Sequence, residues 1–321
     1  MGYSVKEIRR QFKSKGVFYT DEKLSQYIKS FIGEDVKDVY DPTCGNGALL
    51  SVFADDVKKF GQEINPEQLE VAKERLVNFT GYAGDTLKTP AFMDRKFDAI
   101  VANPPFSIRW ESPSEADERF RGSPTIPSES KADYAFILHI LYMLSEHGTA
   151  AVLNFPGVLY RGGREGEIRK WIIQNNWIEK VVRIEGGYFE DTAISTALIV
   201  FRKNKHTTDI EFIDHERNLS RLVPISEIED NGYSLSVSSY IPFEEEKEEV
   251  NPLELKNNIH KHIFNNLKSA LDMELFISDL ENYSITPLLT NIERLIKSYK
   301  NRIILISKKR AEANQTSLFN D

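Results

Sequence analysis

The sequence has little of what disulfide-linked, zinc-binding and membrane-spanning proteins need. Its 321 residues include one cysteine, Cys44, so it can form neither an intrachain disulfide nor a cysteine-rich zinc site. No stretch approaches the roughly 18 consecutive apolar residues of a membrane helix. The first residues, 1–15, are polar and mixed in charge and do not resemble a secretory signal. We therefore expect a cytoplasmic protein that has no contact with a membrane.

An excess of positive charge is missing as well. The chain has 41 lysine and arginine residues against 49 aspartate and glutamate residues, for a formal net charge of -8. Because neutralised phosphates supply much of non-specific DNA affinity, such a chain needs a local basic face or a basic partner to act on nucleic acid. The composition, 40% hydrophobic and 28% charged, is ordinary for a soluble protein, and 321 residues are enough for one large domain with an appendage.

The glycine-rich turn in segment 41–50 (DPTCGNGALL) lacks both the third glycine of the dinucleotide fingerprint and the Gly-Lys-Ser/Thr of a P-loop. It follows a predicted strand, and we expect a helix to begin near Ala48. Gly45 and Gly47 permit positive φ and close approach of the backbone to a ligand, at which the helix would point its amide donors. Asp41 is placed to take the ammonium group of an amino-acid tail. A tight βα turn without a ligand is the alternative.

Acidic residues also end the next two predicted strands. Glu63 closes a strand over 58–64 and lies 18 residues after Gly45, close to the roughly 20-residue spacing at which an acid binds ribose hydroxyls. Asp85 lies near the end of a short strand over 81–87, where its carboxylate could accept a hydrogen bond from an adenine amino group. A solvated strand end is the alternative interpretation of Glu63.

The segment 103–106 (NPPF) follows the apolar run 97–102, which is typical of a buried parallel strand. Its two prolines end that strand, because neither can donate a hydrogen bond to the ladder. The amide of Asn103 offers one acceptor and two donors, so it can hold an exocyclic amino group while Phe106 stacks on a flat ring. Ligands bind at the carboxyl ends of strands in open α/β sheets. We therefore expect Asn103 on one rim with the three acidic residues.

The rest of the chain continues the alternation of helices and strands. Segment 107–130 has no clear periodicity, and its length favours a lid or substrate-contacting loop over a passive insertion. We expect a helix over 131–146, a helix over 166–175 and a closing hairpin-like strand pair. The predicted elements, in order, are strands at 150–156, 178–184, 193–201 and 210–214, a charged linker at 244–249, and helices at 253–268 and from 285 onward.

These motifs together resemble the modification subunits of type I restriction-modification systems, which are adenine-N6 DNA methyltransferases of the gamma motif order. The resemblance spans about 16–240. It rests on GVFYT (16–20), DPTCGNGALL (41–50), GQEINPE (61–67), GDTL (84–87), NPPF (103–106), SKADYAF (130–136), NFPGVLYRGGREGEIRK (154–170) and TAISTALIVFRKNK (192–205). The chain departs from the family at Thr43 and Asn46, where Ala and Ser are commoner. It also has almost no preceding helical domain and no evident target-recognition domain.

The resemblance implies an α/β fold, a Rossmann-like methyltransferase sheet with helices on both faces and a C-terminal helical appendage. The domains would be an N-terminal helix at 1–15, the methyltransferase domain at 16–243, and a linker with C-terminal helices at 244–321. S-adenosylmethionine is the implied cofactor. Its implied binding residues are Phe18, Tyr19, Thr20, Asp41, Thr43, Cys44, Gly45, Asn46, Gly47, Glu63, Ile64, Asp85, Thr86 and Asn103.

The implied reaction is methyl transfer to the exocyclic N6 of adenine in DNA. Asn103 Oδ1 and the Pro104 carbonyl would hold the amino group of a flipped adenine while its nitrogen attacks the methyl group in line. The implied catalytic residues are Asn103, Pro104, Pro105 and Phe106, and the implied substrate-binding residues are Phe106, Phe189, Arg109, Lys131 and Arg161. Cytosine-N4 methylation, RNA or protein-glutamine methylation, and a non-catalytic cofactor-binding subunit are the alternatives.

The implied partners are DNA, a specificity subunit and a restriction subunit. From residue 285 onward, apolar residues recur at spacings of three and four, which predicts a long amphipathic helix. That helix either packs on its own domain or binds the specificity subunit. Basic residues of segments near the rim could form a local basic face. They are Arg109, Arg119, Arg121, Lys131, Arg161, Arg164, Arg169 and Lys170.

Overall fold

The computed structural model describes residues 22–112, 117–184, 186, 195–242 and 252–317. The helix expected at 1–15, the GVFYT segment with Phe18, Tyr19 and Thr20, the base-stacking candidate Phe189 and the charge run at 244–249 lie outside the described residues. The chain divides into two compact units, Met1–Phe243 and Glu244–Asp321.

Within the described part of the first unit, nine strands form one sheet in the order β3-β2-β1-β4-β5-β7-β6-β8-β9. Strand β7 is antiparallel to both β5 and β6, and β9 is antiparallel to β8, whereas the other neighbouring strands are parallel. The strands are β1 (Asp38–Asp41), β2 (Lys58–Glu63), β3 (Phe79–Ala83), β4 (Phe97–Ala102), β5 (Leu144–Asn154), β6 (Ile178–Ile184), β7 (Thr196–Arg202), β8 (Ile210–Asp214) and β9 (Leu219–Val223).

Helices cover both faces of this sheet, as the sequence predicts. The first unit contains α1 (Glu22–Lys29), α2 (Pro66–Arg75), α3 (Asp133–Met143), α4 (Arg164–Gln174), α5 (Ile225–Asp230) and α6 (Val237–Tyr240). Short 3₁₀ helices lie at Leu50–Val52, Glu118–Phe120 and Pro156–Leu159. Helix α2 begins as expected, because the Asn65 side chain accepts a hydrogen bond from Glu67 N at 2.9 Å and Pro66 occupies the first turn.

The alternation of side chains along the central strands builds two hydrophobic cores. Val39 and Val101 point into one core, which contains side chains of α1 and α2. Tyr40 and Ile100 point into the other, which contains side chains of α3, α4, α5 and α6. Successive residues of a strand face opposite sides of the sheet, so strands buried on both faces need apolar residues at nearly every position.

The prediction that a helix begins near Ala48 is wrong. Only the 3₁₀ helix Leu50–Val52 follows the glycine turn, and Phe53 then adopts an extended conformation with φ -85° and ψ 146°. Leu49, Leu50 and Phe53 are all buried, so the chain turns early to place these three side chains in the core. The amide groups at this turn are therefore individual backbone donors and not the N-terminus of a long helix.

The predicted boundary between a helix at 131–146 and a strand from 150 is also wrong. Helix α3 ends at Met143, and β5 starts at Leu144, which pairs with Phe97 of β4. Gly148 lies beside an irregularity in this pairing, where a Cβ would approach the Phe97 carbonyl oxygen to 2.8 Å. Tertiary pairing with β4 thus starts the strand six residues earlier than the sequence pattern predicts.

The second unit contains two long helices, α7 (Pro252–Glu281) and α8 (Thr286–Ser317). Between them Asn282 has φ +54°, and the Tyr283 amide donates to the Ser278 carbonyl at 3.1 Å, which ends α7. The described helices of the whole chain include none that combines the length and the apolar character of a membrane span.

Candidate active site

The polar residues that follow β1 to β4 line one cavity of about 540 Å³. Asp41 is the last residue of β1, Glu63 is the last residue of β2, Asp85 follows β3 and Asn103 follows β4. The structure therefore brings together the four side chains that the sequence places at strand ends. The volume is within the range of about 300–1,000 Å³ that is usual for small-molecule sites.

The two glycines of the turn after β1 serve different purposes. Gly45 has φ +52° and lines the cavity, and a Cβ there would meet no protein atom within 4 Å. Gly47 has φ +80° and packs so closely on the end of α2 that a Cβ would lie 2.7 Å from Leu76 Cδ1. Gly45 therefore shapes the cavity wall, whereas Gly47 permits helix packing and does not belong to the cavity lining.

Asp41 is a buried carboxylate at the bottom of the site, with a relative exposure of 1%. Its Oδ1 accepts hydrogen bonds from Thr43 N at 2.9 Å and from Thr43 Oγ1 at 3.4 Å. Burial raises the pKa of Asp41 to about 7, the hydrogen bonds from Thr43 oppose that rise, and the negative charge of Glu63 adds to it. A cation bound in the cavity would favour the ionised form.

Cys44 packs against the strand next to Asp41. A Cβ added at Gly61 would lie only 2.7 Å from the Sγ of Cys44. Cys44 itself is 5% exposed. Burial and the nearby carboxylates raise the pKa of the thiol. The thiol is therefore a packing group and a poor nucleophile, although the residue lines the cavity.

Glu63 ties the glycine turn to the helix that follows β2. Its Oε2 accepts a hydrogen bond from Gly45 N at 2.9 Å, and its Oε1 accepts one from Asn65 N at 2.9 Å. A carboxylate oxygen has two acceptor positions, so each oxygen can take a second hydrogen bond, for example from a ribose hydroxyl. The neighbouring Ile64 is 66% exposed and also lines the cavity, where it offers an apolar surface.

The turn after β3 forms another wall of the cavity. Asp85 Oδ1 accepts a hydrogen bond from Leu87 N at 2.9 Å, and the Thr86 hydroxyl donates to the Pro42 carbonyl. Arg119 reaches this turn from the loop after β4 and donates to the carbonyls of Thr86 at 2.9 Å and Leu87 at 2.7 Å. The loop and the cavity wall are therefore connected through a buried guanidinium.

Two arginines expected on a basic surface are instead buried. Arg119 and Arg169 are each 4% exposed. Arg169 donates to the backbone carbonyls of Val158, Arg161 and Tyr233. Their inclusion in a basic face was wrong, because both guanidiniums satisfy main-chain carbonyls inside the fold.

The catalytic candidates lie at the end of β4. Asn103 and Pro105 line the cavity, Pro104 is buried, and Phe106 is partly buried. The next residue, Ser107, has φ +52°, a left-handed conformation that is uncommon outside glycine. The tetrapeptide is thus followed by an unusual turn directly at the site.

The loop after this turn supplies cavity residues that the sequence pattern does not single out. Trp110 is anchored by hydrogen bonds from its N to the Glu129 carbonyl at 3.0 Å and from its Nε1 to the Ser128 carbonyl at 2.9 Å. An exposed ion pair joins Lys88 and Glu111 at 2.8 Å. The lining residues missed are Pro42, Ala48, Leu49, Gln68, Gly84, Leu87, Lys88, Ile108, Trp110, Glu111 and Phe136. Among these residues, Trp110 could have been suspected from sequence, because it is a single tryptophan within a polar loop.

The three basic candidates for substrate binding lie in different surroundings. Arg109 is exposed and lines the cavity, and Lys131 is partly exposed. Arg161 has a side chain that is only 17% exposed, and it forms ion pairs with Asp133 and Glu165. Neither Lys131 nor Arg161 belongs to the cavity lining, so only Arg109 of the three is next to the cavity.

Comparisons with known proteins agree on one family. The family model described as "N-6 DNA Methylase" matches residues 5–222. The type I restriction enzyme MpnII methylase subunit of Mycoplasma pneumoniae is 32% identical over 77% of this chain and 57% of its own length. The chain thus spans about half the length of the curated relatives it matches.

Solved structures show the same fold. A type I restriction-modification methyltransferase subunit from Streptococcus thermophilus is 28% identical and superposes with a TM-score of 0.63 over 68% of this chain and 58% of that one. A chain from a structural study of type I restriction-modification assembly has 20% identity and a TM-score of 0.58 over 87% of this chain and 70% of its own. The expected Rossmann-like methyltransferase fold is therefore confirmed.

Proposed function

The chain belongs to the N-6 DNA methylase family, and we propose that it transfers a methyl group from S-adenosylmethionine to the exocyclic N6 of adenine in DNA. The observation that carries the proposal is the position of Asn103 in the same cavity as Asp41, Glu63 and Asp85. One site thus combines an amide suited to an amino group with three carboxylates suited to a cationic nucleoside. The family match favours DNA over an RNA or protein-glutamine substrate.

The residues of the cavity fit S-adenosylmethionine. Asp41 Oδ1 accepts hydrogen bonds from Thr43, and the carboxylate would bind the ammonium group of the methionine portion through Oδ2. Glu63 would accept hydrogen bonds from the ribose hydroxyls through its remaining acceptor positions. Asp85 uses Oδ1 for the Leu87 and Lys88 amides, which leaves Oδ2 to accept from the adenine amino group.

The cofactor, when bound, supplies a methyl group on a positively charged sulfur. Asn103 Oδ1 and the Pro104 carbonyl would each accept a hydrogen bond from one N–H of the target amino group, and one of these two protons is lost to solvent after the nitrogen has taken the methyl group. Those hydrogen bonds concentrate electron density on the nitrogen and direct its lone pair away from the acceptors. Positioning of this kind is the main catalytic contribution that we assign to the chain.

The target adenine must leave the DNA helix to reach Asn103. Phe106, three residues after Asn103 and partly buried, is the aromatic residue that we assign to stacking on the extruded base. Such stacking contributes about 1–3 kcal/mol per base. Phe189 remains our candidate for the opposite face of the base, and Arg109 and Lys131 remain our candidates for phosphate contact.

We further propose that the chain acts as the modification subunit of a type I-like restriction-modification system in the cytoplasm. The relative from Mycoplasma pneumoniae is named a type I restriction enzyme methylase subunit, and the second unit exposes apolar side chains. On α7, Ile259, Ile263 and Leu267 recur every four residues and are 48%, 61% and 44% exposed. A specificity subunit would cover these residues and supply the base-edge contacts, and a restriction subunit would join the assembly.

The test is a methyl-transfer assay with labelled S-adenosylmethionine and plasmid DNA, followed by mass spectrometry of the nucleosides. We expect N6-methyladenine when the chain is co-expressed with its specificity subunit. N4-methylcytosine as the product, or no product despite cofactor binding and an assembled complex, would overturn the proposal. Tight, sequence-specific methylation by the purified chain alone would instead refute the role of the specificity subunit.

A further inference from the structure

The backbone directly after the NPPF segment is held in an unfavourable conformation. Ser107 has φ +52°, and such values are uncommon for residues with a side chain. A strained residue persists only when surrounding contacts fix it. The contacts around Ser107 therefore bear on how the catalytic segment is positioned.

The first of these contacts comes from Asp133, the first residue of α3. Its Oδ1 accepts a hydrogen bond from the Ser107 amide at 3.1 Å, across 26 residues of sequence. Asp133 is 2% exposed, so water competes little for this bond. A second link lies close by, because the Ala132 amide donates to the Ile108 carbonyl at 2.8 Å. The start of α3 is thus hydrogen-bonded to the chain on both sides of the peptide bond between Ser107 and Ile108.

The second contact comes from Arg161, in the loop after β5. Its Nη2 lies 3.3 Å from Ser107 Oγ, and its Nη1 lies 3.5 Å from Asp133 Oδ2. Nη1 also donates to both carboxylate oxygens of Glu165, at 3.1 and 3.0 Å. The guanidinium fits against Gly157, where a Cβ would lie 2.4 Å from Arg161 Nε. Arg161 is therefore committed to groups of its own chain.

We propose that Asp133 and Arg161 are positioning residues that hold Ser107 in its left-handed conformation and so fix the preceding NPPF segment, with Asn103 at the cavity. This inference rests on the proposed methyl transfer and deepens it. It assigns Arg161 a different task from the phosphate contact expected from sequence, because its guanidinium faces two carboxylates and a hydroxyl. A small shift of the NPPF turn would misplace the amide that holds the target amino group, and misplacement of about 1 Å can cost about 100-fold in rate.

A matched pair at Ser107 tests the backbone conformation. Glycine adopts positive φ readily, whereas a β-branched residue resists it strongly. We expect Ser107→Gly to keep the turnover number within about fivefold of wild type and Ser107→Val to lower it at least tenfold, with the dissociation constant for S-adenosylmethionine unchanged in both. Equal turnover in the two variants would overturn the proposal.

Asp133→Ala tests the contact itself through a measurement that needs no catalysis. Hydrogen–deuterium exchange of the Ser107 amide should be slow in the wild type and at least tenfold faster in the variant, and turnover should fall at least tenfold. Glu167→Ala is the control, because Glu167 is exposed on α4. A folded Asp133→Ala protein with a protected Ser107 amide or near-normal turnover would contradict the proposal. The Ser107 pair decides the question if Asp133→Ala does not fold.

Arg161→Lys separates positioning from phosphate binding. Lysine keeps the charge but lacks the planar fork that reaches Ser107 and Glu165 together. Positioning predicts at least a fivefold loss of turnover with unchanged DNA affinity and unchanged salt dependence of binding. Turnover close to wild type would refute it and restore the phosphate role. If the wild-type assembly makes no methyladenine, the proposed function fails, and the exchange of the Ser107 amide still tests the contact by itself.

Discussion

Two helices of this chain carry apolar side chains that meet opposite surroundings. In α3 of the first unit, Ile137, Leu138 and Ile140 are at most 2% exposed, because the helix packs against the central sheet. In α7 of the second unit, Ile263 and Phe264 are 61% and 67% exposed. A helix with unburied apolar side chains is the expected form of a surface that another protein covers. Among the described residues, those of the first unit build two hydrophobic cores, whereas α7 leaves these apolar side chains exposed.

The largest of the predicted effects is a loss of catalysis caused by a substitution in the first unit. Asn103→Ala removes the acceptor for the target amino group, and we expect turnover to fall about 10²- to 10³-fold, as for loss of one preorganised catalytic hydrogen bond. Assembly with the specificity subunit should be unchanged, which analytical ultracentrifugation can measure. An Asn103→Ala enzyme with near-normal turnover would refute the assigned mechanism.

The converse effect is expected in the second unit. Phe264→Asp places a charge among exposed apolar residues of α7 and should weaken binding of the specificity subunit by about 2–4 kcal/mol, as for a central interface residue. The dissociation constant for S-adenosylmethionine should not change. Lys261→Ala on the same helix is the matched control. If Phe264→Asp binds the partner as tightly as the control, the face covered by the partner is not this one.

The pH dependence of cofactor binding gives a smaller effect that is confined to the first unit. The pKa of Asp41 is raised to about 7 by burial, so the carboxyl is protonated in the free protein at lower pH. We expect affinity for S-adenosylmethionine to fall up to tenfold per pH unit below about pH 7, because the ammonium group binds the carboxylate. Titration calorimetry from pH 5.5 to 8.5 measures this. An Asp41→Asn variant should bind weakly with little pH dependence, and a flat wild-type profile would contradict the assignment.

The same raised pKa has a consequence for stability with a defined sign. Between the ordinary aspartate pKa of about 4 and the folded value, the folded protein binds more protons than the unfolded chain. The contribution of Asp41 to the free energy of unfolding therefore decreases as pH rises from about 4 to 7 and is constant above that range. Comparison of urea unfolding of the wild type and Asp41→Asn across this range isolates the contribution, and parallel pH curves for the two proteins would refute it.

The smallest effect concerns the two glycines of the turn. Gly47→Ala combines positive φ with a Cβ placed 2.7 Å from Leu76 Cδ1, so we expect it to lower the free energy of unfolding by about 1–3 kcal/mol. Gly45→Ala has only the φ penalty, about 1 kcal/mol, because its Cβ would meet open space. Chemical denaturation of both variants measures the difference. Equal losses would show that packing against α2 is not the reason for glycine at position 47.

Local patterns predict those parts of the fold whose conformation depends on nearby residues. The strand expected at 178–184 is confirmed as β6, and the one at 210–214 is confirmed as β8. Strand β9 was missed, because four of its five residues are exposed and the segment LSRLV carries no core signal. Pairing with β8 at the sheet edge, and not burial, makes this segment a strand.

The residues of the candidate site also fall into those that local sequence patterns predict and those that they do not. Asp41, Glu63, Asp85 and Asn103 could be found from sequence, because strand ends are readable and parallel strands end on one rim. The contribution of Trp110 could not, since its position depends on hydrogen bonds to the distant carbonyls of Ser128 and Glu129. Arg119 was misassigned for a similar reason, because its guanidinium, besides its ion pair with Asp117, donates to two carbonyl groups more than thirty residues away in sequence.

Local sequence patterns were enough to predict the alternation of strands and helices and the polar strand ends, because periodicity, glycine and proline act over a few residues, and the motifs were enough to identify the family. The folded structure alone shows that α3 ends early where β5 begins, that Arg161 turns inward to Ser107 and Asp133, and that Ser107 is held at positive φ. These features depend on groups far apart in the chain that meet only after the sheet has formed.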